Sequence, residues 1–447
     1  MRLCPSRAQQ RGGARRHEGA PTTATSIPRD GSAEAGQRCE AARSASADRG
    51  RFRLRCGNVR TPALTSRLRP FTSTIFAEIT ELARRTGAVN LGQGFPDTDG
   101  PEGMLRVAQQ AIADGVNQYP PGAGAPELRG AIAAHRRSRY DIEHDPEGEI
   151  LVTVGATEAM SAAMLALVEP GDEVVLIEPY YDAYPVAVAM AGGVRRTVPL
   201  TQGPDHRFVL DVDALRAAVG PQTRALVLNS PHNPTGTVFT DDELAAIADV
   251  CREHDVIAIT DEVYEHLLFD GRKHKPLATL PGMTERTLSI SSVGKSFSAT
   301  GWKIGWVCGP RELVAAVRAA KQFITFVGGA PFQPAVAHAL QHELDWAEQL
   351  RLDLQRKRDL LSSGLAEAGF DVLASEGTYF ICADVRPLGF SDGAQLCREL
   401  PERIGVAAIP VQVFCDHPDA TRHLVRFAFC KRDEVLDEAV ERLHKLR

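Results

Sequence analysis

Val256-Ile257-Ala258-Ile259-Thr260-Asp261-Glu262-Val263-Tyr264 is an unbroken apolar run that ends in two acids. A strand with one wet face alternates apolar and polar residues; a strand without alternation is covered on both faces, as in a parallel sheet between helices. Similar short runs lie at 151–154, 173–177, 225–229, 287–291 and 304–308, separated by helical patterns at about 157–168, 183–191, 241–254 and 311–322. This alternation predicts an α/β fold, a mostly parallel sheet with helices on both sides. In such a sheet, ligands bind at the carboxyl ends of the strands.

Outside this region the texture differs. Residues 75–84 read as an amphipathic helix, 103–114 as another, and 117–122 as a turn-rich loop. A helical period runs from 334 to 365, as one long helix. The remainder, 371–447, mixes short strands near 379–383 and 424–429 with helices near 392–400 and 432–446, a smaller α+β domain.

Four features at predicted strand ends carry chemistry. Val154-Gly155-Ala156-Thr157 passes from a strand through a glycine turn into a helix, whose first N–H groups bind phosphate; such turns are also common without a ligand. Asn229-Ser230-Pro231-His232-Asn233-Pro234-Thr235-Gly236 is a rigid loop that presents the Asn233 amide to a phenolic oxygen, or is an ordinary turn. Asp261 at a buried strand end needs a cation, for which a pyridinium nitrogen serves, or else caps a helix. Finally, Ser291-Ser292-Val293-Gly294-Lys295-Ser296-Phe297-Ser298-Ala299-Thr300-Gly301-Trp302-Lys303 keeps two lysines in a chain of 43 Arg and 8 Lys. A guanidinium stays protonated, whereas a desolvated lysine loses its proton and attacks an aldehyde. Lys295 fits that role, with Ser292 and Lys303 toward a phosphate. The ordinary reading is two surface lysines. Taken together, the four features match pyridoxal 5′-phosphate.

Composition bounds the rest. The chain has 447 residues, room for two or three domains, and a net charge of −6. Residues 1–60 hold 13 Arg, no Lys and 5 acids, about +8, which leaves about −14 for the remainder. This segment is rich in Ala, Gly, Ser and Arg without helical or strand period, and is expected to be a disordered tail. It has no apolar core for a secretory signal, its acids and lack of an amphipathic stretch weigh against a transit peptide, and it lacks the helices of a DNA-reading module. No apolar run approaches the roughly 20 residues of a membrane span. Nine cysteines without a Cys-x-x-Cys pair point to reduced, buried thiols in a cytoplasmic protein, with no zinc or other metal site. Neither nucleic acid nor membrane is expected as a partner.

The stretch from Leu91 to Arg447 resembles the class I/II, fold-type I pyridoxal-phosphate aminotransferases. Asn233-Pro234-Thr235-Gly236, Asp261-Glu262-Val263-Tyr264, Gly294-Lys295-Ser296-Phe297 and Gly301-Trp302-Lys303 carry the resemblance. Asn90-Leu91-Gly92-Gln93-Gly94-Phe95-Pro96-Asp97 is similar to the kynurenine/glutamine and methionine branch. Thr74-Ile75-Phe76-Ala77-Glu78, Asn117-Gln118-Tyr119-Pro120-Pro121-Gly122 and Gly328-Gly329-Ala330-Pro331-Phe332-Gln333-Pro334 resemble actinobacterial N-succinyldiaminopimelate aminotransferases.

The resemblance implies a seven-stranded, mostly parallel sheet in a large domain over 98–330, a small domain over 331–447, and an arm over 61–97 that joins the small domain. It implies Lys295 as Schiff-base lysine and proton shuttle, Asp261 on the pyridine nitrogen, and Asn233 and Tyr264 on the phenolic oxygen. Ala156, Thr157, Ser292 and Lys303 would hold the phosphate, and Tyr181 would stack on the ring. Arg426 would clamp the substrate carboxylate, touched also by the Gly94 backbone, and Tyr119 would reach the partner's site in a homodimer. The implied reaction is ping-pong exchange between an amino acid and a 2-oxo acid, with N-succinyldiaminopimelate and glutamate as the pair that the resemblance implies. Kynurenine-type enzymes carry Trp where this chain has Phe76, and an aromatic–His pair near Val327-Gly328-Gly329, where small residues either leave room for a longer substrate or change the backbone path. A broad kynurenine/glutamine/methionine aminotransferase is the alternative, with cysteine-conjugate β-lyase as a side activity.

Overall fold

The computed structural model describes residues 63–72, 75–203 and 205–446; the expected tail over 1–60 lies outside them. In chain order the first half holds α1 (Ile75–Thr86), β1 (Val89–Asn90), α2 (Glu102–Ala113), α3 (Pro126–Tyr140), β2 (Ile150–Thr153), α4 (Gly155–Leu167), β3 (Glu173–Glu178) and α5 (Ala183–Ala191). Next come β4 (Val194–Gln202), β5 (Phe208–Leu210), α6 (Val212–Ala218), β6 (Thr223–Asn229), α7 (Asp241–Glu253), β7 (Ile257–Asp261), β8 (Thr287–Ser292), α8 (Val293–Ser296), β9 (Gly305–Cys308) and α9 (Arg311–Lys321). The last part holds α10 (Phe332–His342), α11 (Leu344–Glu367), β10 (Asp371–Val372), β11 (Phe380–Asp384), α12 (Gly393–Arg403), β12 (Val406–Ala407), β13 (Ile409–Pro410), β14 (Leu424–Ala428) and α13 (Asp433–Leu443).

The main sheet has the order β2-β9-β8-β7-β6-β3-β4-β5. Pairs β8/β7, β7/β6, β6/β3 and β3/β4 are parallel, and β9 and β5 run against their neighbours. The sheet therefore has eight strands where seven were expected, because the short β5 folds back antiparallel onto the edge of β4. Every residue of β3, β7 and β8 is buried. The pleat sends alternate residues to opposite sides. Val174, Leu176, Ile257 and Ile259 pack with Met160, Val188 and Val314 of α4, α5 and α9. Val175, Ile177, Leu226 and Ala258 pack with Leu215 and Ile247 of α6 and α7.

The smaller sheet, β10-β11-β14-β13, shares a core with α1 and the residue after β1. Ile79, Ala83 and Leu91 lie in one apolar cluster with Leu361, Phe380, Val406 and Phe427. The two-residue β1 pairs in parallel with β12. The predicted helix over 334–365 is instead two helices, α10 and α11, broken at Glu343 (φ −119°, ψ 19°). The chain changes cores a turn after the break: Ala335, Leu340 and Ala347 pack with Met104 and Ile132, whereas Leu354 and Leu365 join the C-terminal cluster.

Helix α3 turns charged groups inward. Arg136, 1% exposed, donates to Glu262 at 2.6 Å and Ser289 at 3.2 Å. His135 lies 3.0 Å from His266 (Nε2 to Nε2), and His266 Nδ1 lies 2.7 Å from Ser296 Oγ. Glu265 accepts from Tyr140 and Ser291. His135, Glu265 and His266 thus sit close enough to ligate a metal, and hydrogen bonds already engage all three. Cys251, Cys308, Cys382, Cys397 and Cys430 are buried, and all six described cysteines are free. No helix among the described residues is long and apolar enough to cross a membrane.

Removing one member of a buried ion pair strands the other charge, which costs about 3–5 kcal/mol, whereas replacing both by apolar residues is often neutral. Arg136→Ala is expected to lower unfolding free energy by about that much, and Arg136→Met with Glu262→Met by far less. Equilibrium urea denaturation checks this; equal losses in both variants would contradict it.

Candidate active site

Strand register builds the site. Asn229 and Asp261, the last residues of β6 and β7, are direct partners, and Ser292 ends β8 opposite Gly305. A cavity of about 370 Å³ opens at these ends. Its wall holds Asn229, Asn233, Asp261, Tyr264, Ser292 and Lys295 from the carboxyl side of the sheet, and Ala156, Thr157, Tyr181 and Lys303 beside them. The arm contributes Phe76 and Gly94, and β14 contributes Arg426. Twelve of the thirteen residues singled out in the sequence therefore meet in one place. Tyr119 does not: it is 81% exposed, edge-on to Phe326 at 5.5 Å, and outside the cavity wall.

Asp261 is 6% exposed. Its carboxylate accepts from the Tyr184 hydroxyl at 2.7 Å and the Val263 N–H at 3.3 Å. Burial raises its pKa, although these two donors and nearby Lys295 oppose the rise. The Asn229 side chain donates to the Asp261 carbonyl at 2.9 Å and accepts from the Asn233 N–H at 2.7 Å, which locks the following loop to the strand end. Asp261 thus has room for one cationic donor, as a protonated ring nitrogen would be.

Lys295 lies half-buried on the short α8. Burial pulls its pKa down to about 8; Lys303 and Arg426 add to the lowering, and Cys430 and Asp261 oppose it. Its Nζ donates to Tyr379 Oη at 2.7 Å. An amine near 8 is partly neutral at physiological pH and therefore nucleophilic.

An anion cradle lies at the start of α4. Gly155 has φ +73°, and the Lys303 Nζ stands 3.1 Å from the place its Cβ would take. A Cβ on Gly305 would meet the Gly155 carbonyl carbon at 2.6 Å, so β9 and the α4 turn approach closely only because both residues are glycine. The free N–H groups of the first turn, the Ser292 hydroxyl and the Lys303 ammonium form a set that suits a phosphate. Tyr181 forms the neighbouring wall; burial raises its pKa to about 12.

Arg426 is 2% exposed and has no carboxylate in hydrogen-bond contact. It donates to Asn233 Oδ1 and the Gly92 carbonyl, each at 3.0 Å, and its Nε has no partner. Its guanidinium lies 4.0 Å from the Phe380 ring centroid, with Phe414 and Phe76 at 5.1 and 5.5 Å. Burial lowers its pKa. A buried guanidinium with an orphan N–H is built to receive a carboxylate. Gly328 and Gly329 are not in the cavity wall: a Cβ on either would meet Val154 or Ile304. The room expected there for a longer substrate is filled within this chain.

Tyr184 and Tyr379 were not singled out in the sequence. Tyr184 lies three residues after Tyr181, on the first turn of α5, and that spacing is its one visible signal. Tyr379 precedes a strand and carried none.

Fold and site together define a transaminase: the chain belongs to the aminotransferase class I and II family, whose pattern matches residues 86–443. The chain is 61% identical over 390 residues to the probable N-succinyldiaminopimelate aminotransferase DapC of Mycobacterium tuberculosis, covering 85% of this chain and 98% of that protein. The solved structure of N-succinyldiaminopimelate aminotransferase from Mycobacterium tuberculosis superposes with a TM-score of 0.84 at 61% identity, over 86% of this chain and all of that one. The methionine aminotransferase of Escherichia coli is 38% identical over 381 residues, 85% of this chain and 98% of that one.

With the Lys295 pKa at about 8, capture of an aldehyde by the cofactor-free protein should rise about tenfold per pH unit below that value and level off above it. Stopped-flow absorbance checks this; a midpoint above pH 10 would contradict it.

Proposed function

We propose that this aminotransferase carries pyridoxal 5′-phosphate and moves amino groups between N-succinyldiaminopimelate and glutamate, a step of lysine biosynthesis. The observation that carries the cofactor is the convergence, on one cavity, of the depressed Lys295 amine, the buried Asp261 carboxylate and the α4 anion cradle. The 61% identity to the mycobacterial relative supports the substrate.

When bound, the cofactor supplies an aldehyde that takes up an amino group and a ring that delocalises a carbanion. In this reading Lys295 would hold the cofactor through its aldehyde. Asp261 would keep a proton on the ring nitrogen, and Asn233 and Tyr264 would bind the phenolic oxygen. Ala156, Thr157, Ser292 and Lys303 would hold the phosphate, while Tyr181 would cover the ring face. Arg426 clamps the substrate α-carboxylate with its two terminal nitrogens or with Nε and one of them, beside the Gly94 backbone. Phe76, which packs against Phe414 with ring centroids 5.8 Å apart, walls the side-chain end. Lys295 would be the group that takes the proton from the substrate α-carbon and returns it. Its low pKa supports this work, because only a neutral amine accepts that proton.

We read 61–97 as an arm of the small domain, 98–330 as the large domain and 331–447 as the small one, in a cytoplasmic homodimer. The exposure of Tyr119 outside its own cavity supports a reach into the partner's site.

Lys295→Ala is expected to cut turnover at least about 1,000-fold. Arg426→Lys keeps the charge, loses the bidentate fork and should raise KM for both substrates about 10- to 100-fold. Substrate choice is read from holoenzyme absorbance. Fast bleaching by glutamate and N-succinyl-LL-diaminopimelate, without bleaching by kynurenine, is the expected result. Fast bleaching by kynurenine, glutamine or methionine instead would establish the broad aminotransferase, and pyruvate release from cysteine conjugates would reveal the β-lyase activity.

A further inference from the structure

We propose that Tyr379 is a positioning residue that aims the Lys295 amine into the cavity. The inference rests on Lys295 being the reactive amine. Tyr379 is 0% exposed, and its ring is fixed edge-on against Tyr264 and Phe380 at 5.2 and 4.8 Å. Its hydroxyl meets the Gly94 carbonyl at 2.6 Å and Lys295 Nζ at 2.7 Å, and the Tyr264 hydroxyl also lies in hydrogen-bond contact with it. A carbonyl only accepts, and a phenol has one proton. The Tyr379 proton therefore goes to Gly94, and the phenol oxygen is left to accept from Lys295. Direct contact between Lys295 and Gly94 is long, at 3.5 Å, so Tyr379 is the principal anchor of the amine.

The consequence follows from the shape of a neutral amine, which has two N–H groups and one lone pair. One N–H held by Tyr379 fixes rotation about the last bond of the side chain and leaves the lone pair free for the cavity. A second, small cavity of about 10 Å³ is also lined by Lys295, together with Tyr379, Leu354, Lys357, Cys430 and Lys431. An unanchored amine has this space to turn into. Tyr379 thus acts by orientation, in which misplacement of about 1 Å costs about 100-fold in rate.

The test compares wild type with Tyr379→Phe, which keeps the ring and removes the anchor. Cofactor-free protein is mixed with pyridoxal 5′-phosphate across pH 6–10, and the product is fixed with borohydride and located by mass spectrometry. Above the wild-type midpoint the amine is neutral in both proteins, so the plateau reads orientation alone. The variant plateau should fall at least about tenfold. In the holoenzyme, kcat should fall similarly with KM changed less than about twofold. A fluorinated tyrosine at 379, which donates more strongly and accepts more weakly, should lower the plateau in step with its acidity; this readout survives if the Phe variant folds poorly. A plateau within twofold of wild type, in either variant, overturns the proposal for Tyr379. No adduct on Lys295 in wild type would overturn the reading of Lys295 itself, and this inference with it.

Discussion

Burying the Asp261 carboxylate is the constraint on which the rest of the structure turns. The residue ends a central strand, and taking its charge out of water costs several kcal/mol unless donors and a cation replace the water. The protein supplies part of that replacement: a phenol from α5, one backbone N–H, and the field of Lys295. Strand register supplies the scaffold, since Asn229 stands directly opposite and bonds the Asp261 backbone. What is missing is a cation in contact. Arg426 presents the converse case, a buried cation among aromatic rings without an anion in contact. Both charges face one cavity. A cofactor with a protonated ring nitrogen and a substrate with a carboxylate would satisfy the two deficits separately, so the protein holds stability in reserve for ligand binding.

The parts legible in the sequence were those whose physics is local. Strands β3, β6 and β7 are buried on both faces except at Arg224, and that burial is written as near-continuous runs of Val, Ile, Leu and Ala; β8 is as buried but alternates Leu and Ile with Ser. Residues at strand ends inherit their position from the strand, which is why Asn229, Asp261 and Ser292 were found together. The strand β4 was missed because it begins with three exposed residues, including Arg195 and Arg196, beside the sheet edge. Helix α3 was missed for the opposite reason. Its inward face carries Arg129, His135 and Arg136, so apolar periodicity fails exactly where burial is deepest, and their partners Glu262 and His266 lie 126 and 131 residues away. Tyr379 gains its position from the long-range docking of β11 on the arm, which no window of sequence contains. The 334–365 pattern reads as one helix because apolar residues facing one core continue across Glu343, from Leu340 to Ala347, although the backbone there leaves helical geometry.

The arm ties these pieces together. Two of the basic side chains that the proposed chemistry uses hold a carbonyl of the same short segment: Arg426 holds Gly92, and Lys295 reaches Gly94 through Tyr379. That segment follows β1, which pairs with β12, and Leu91 bonds the backbone of Ala407 and Ala428. Gly94 has no space for a side chain, because a Cβ there would run into the Phe380 ring. The segment is therefore pressed against the small sheet on one side and held by these two side chains on the other. A substrate carboxylate entering beside Arg426 competes with Gly92 and Asn233 for its N–H groups. Gly92, Gln93 and Gly94 thus lie between the guanidinium and the hydroxyl that contacts Lys295. Substrate recognition and orientation of the reactive amine share one strip of backbone, which makes the arm part of the active site rather than an appendage to it.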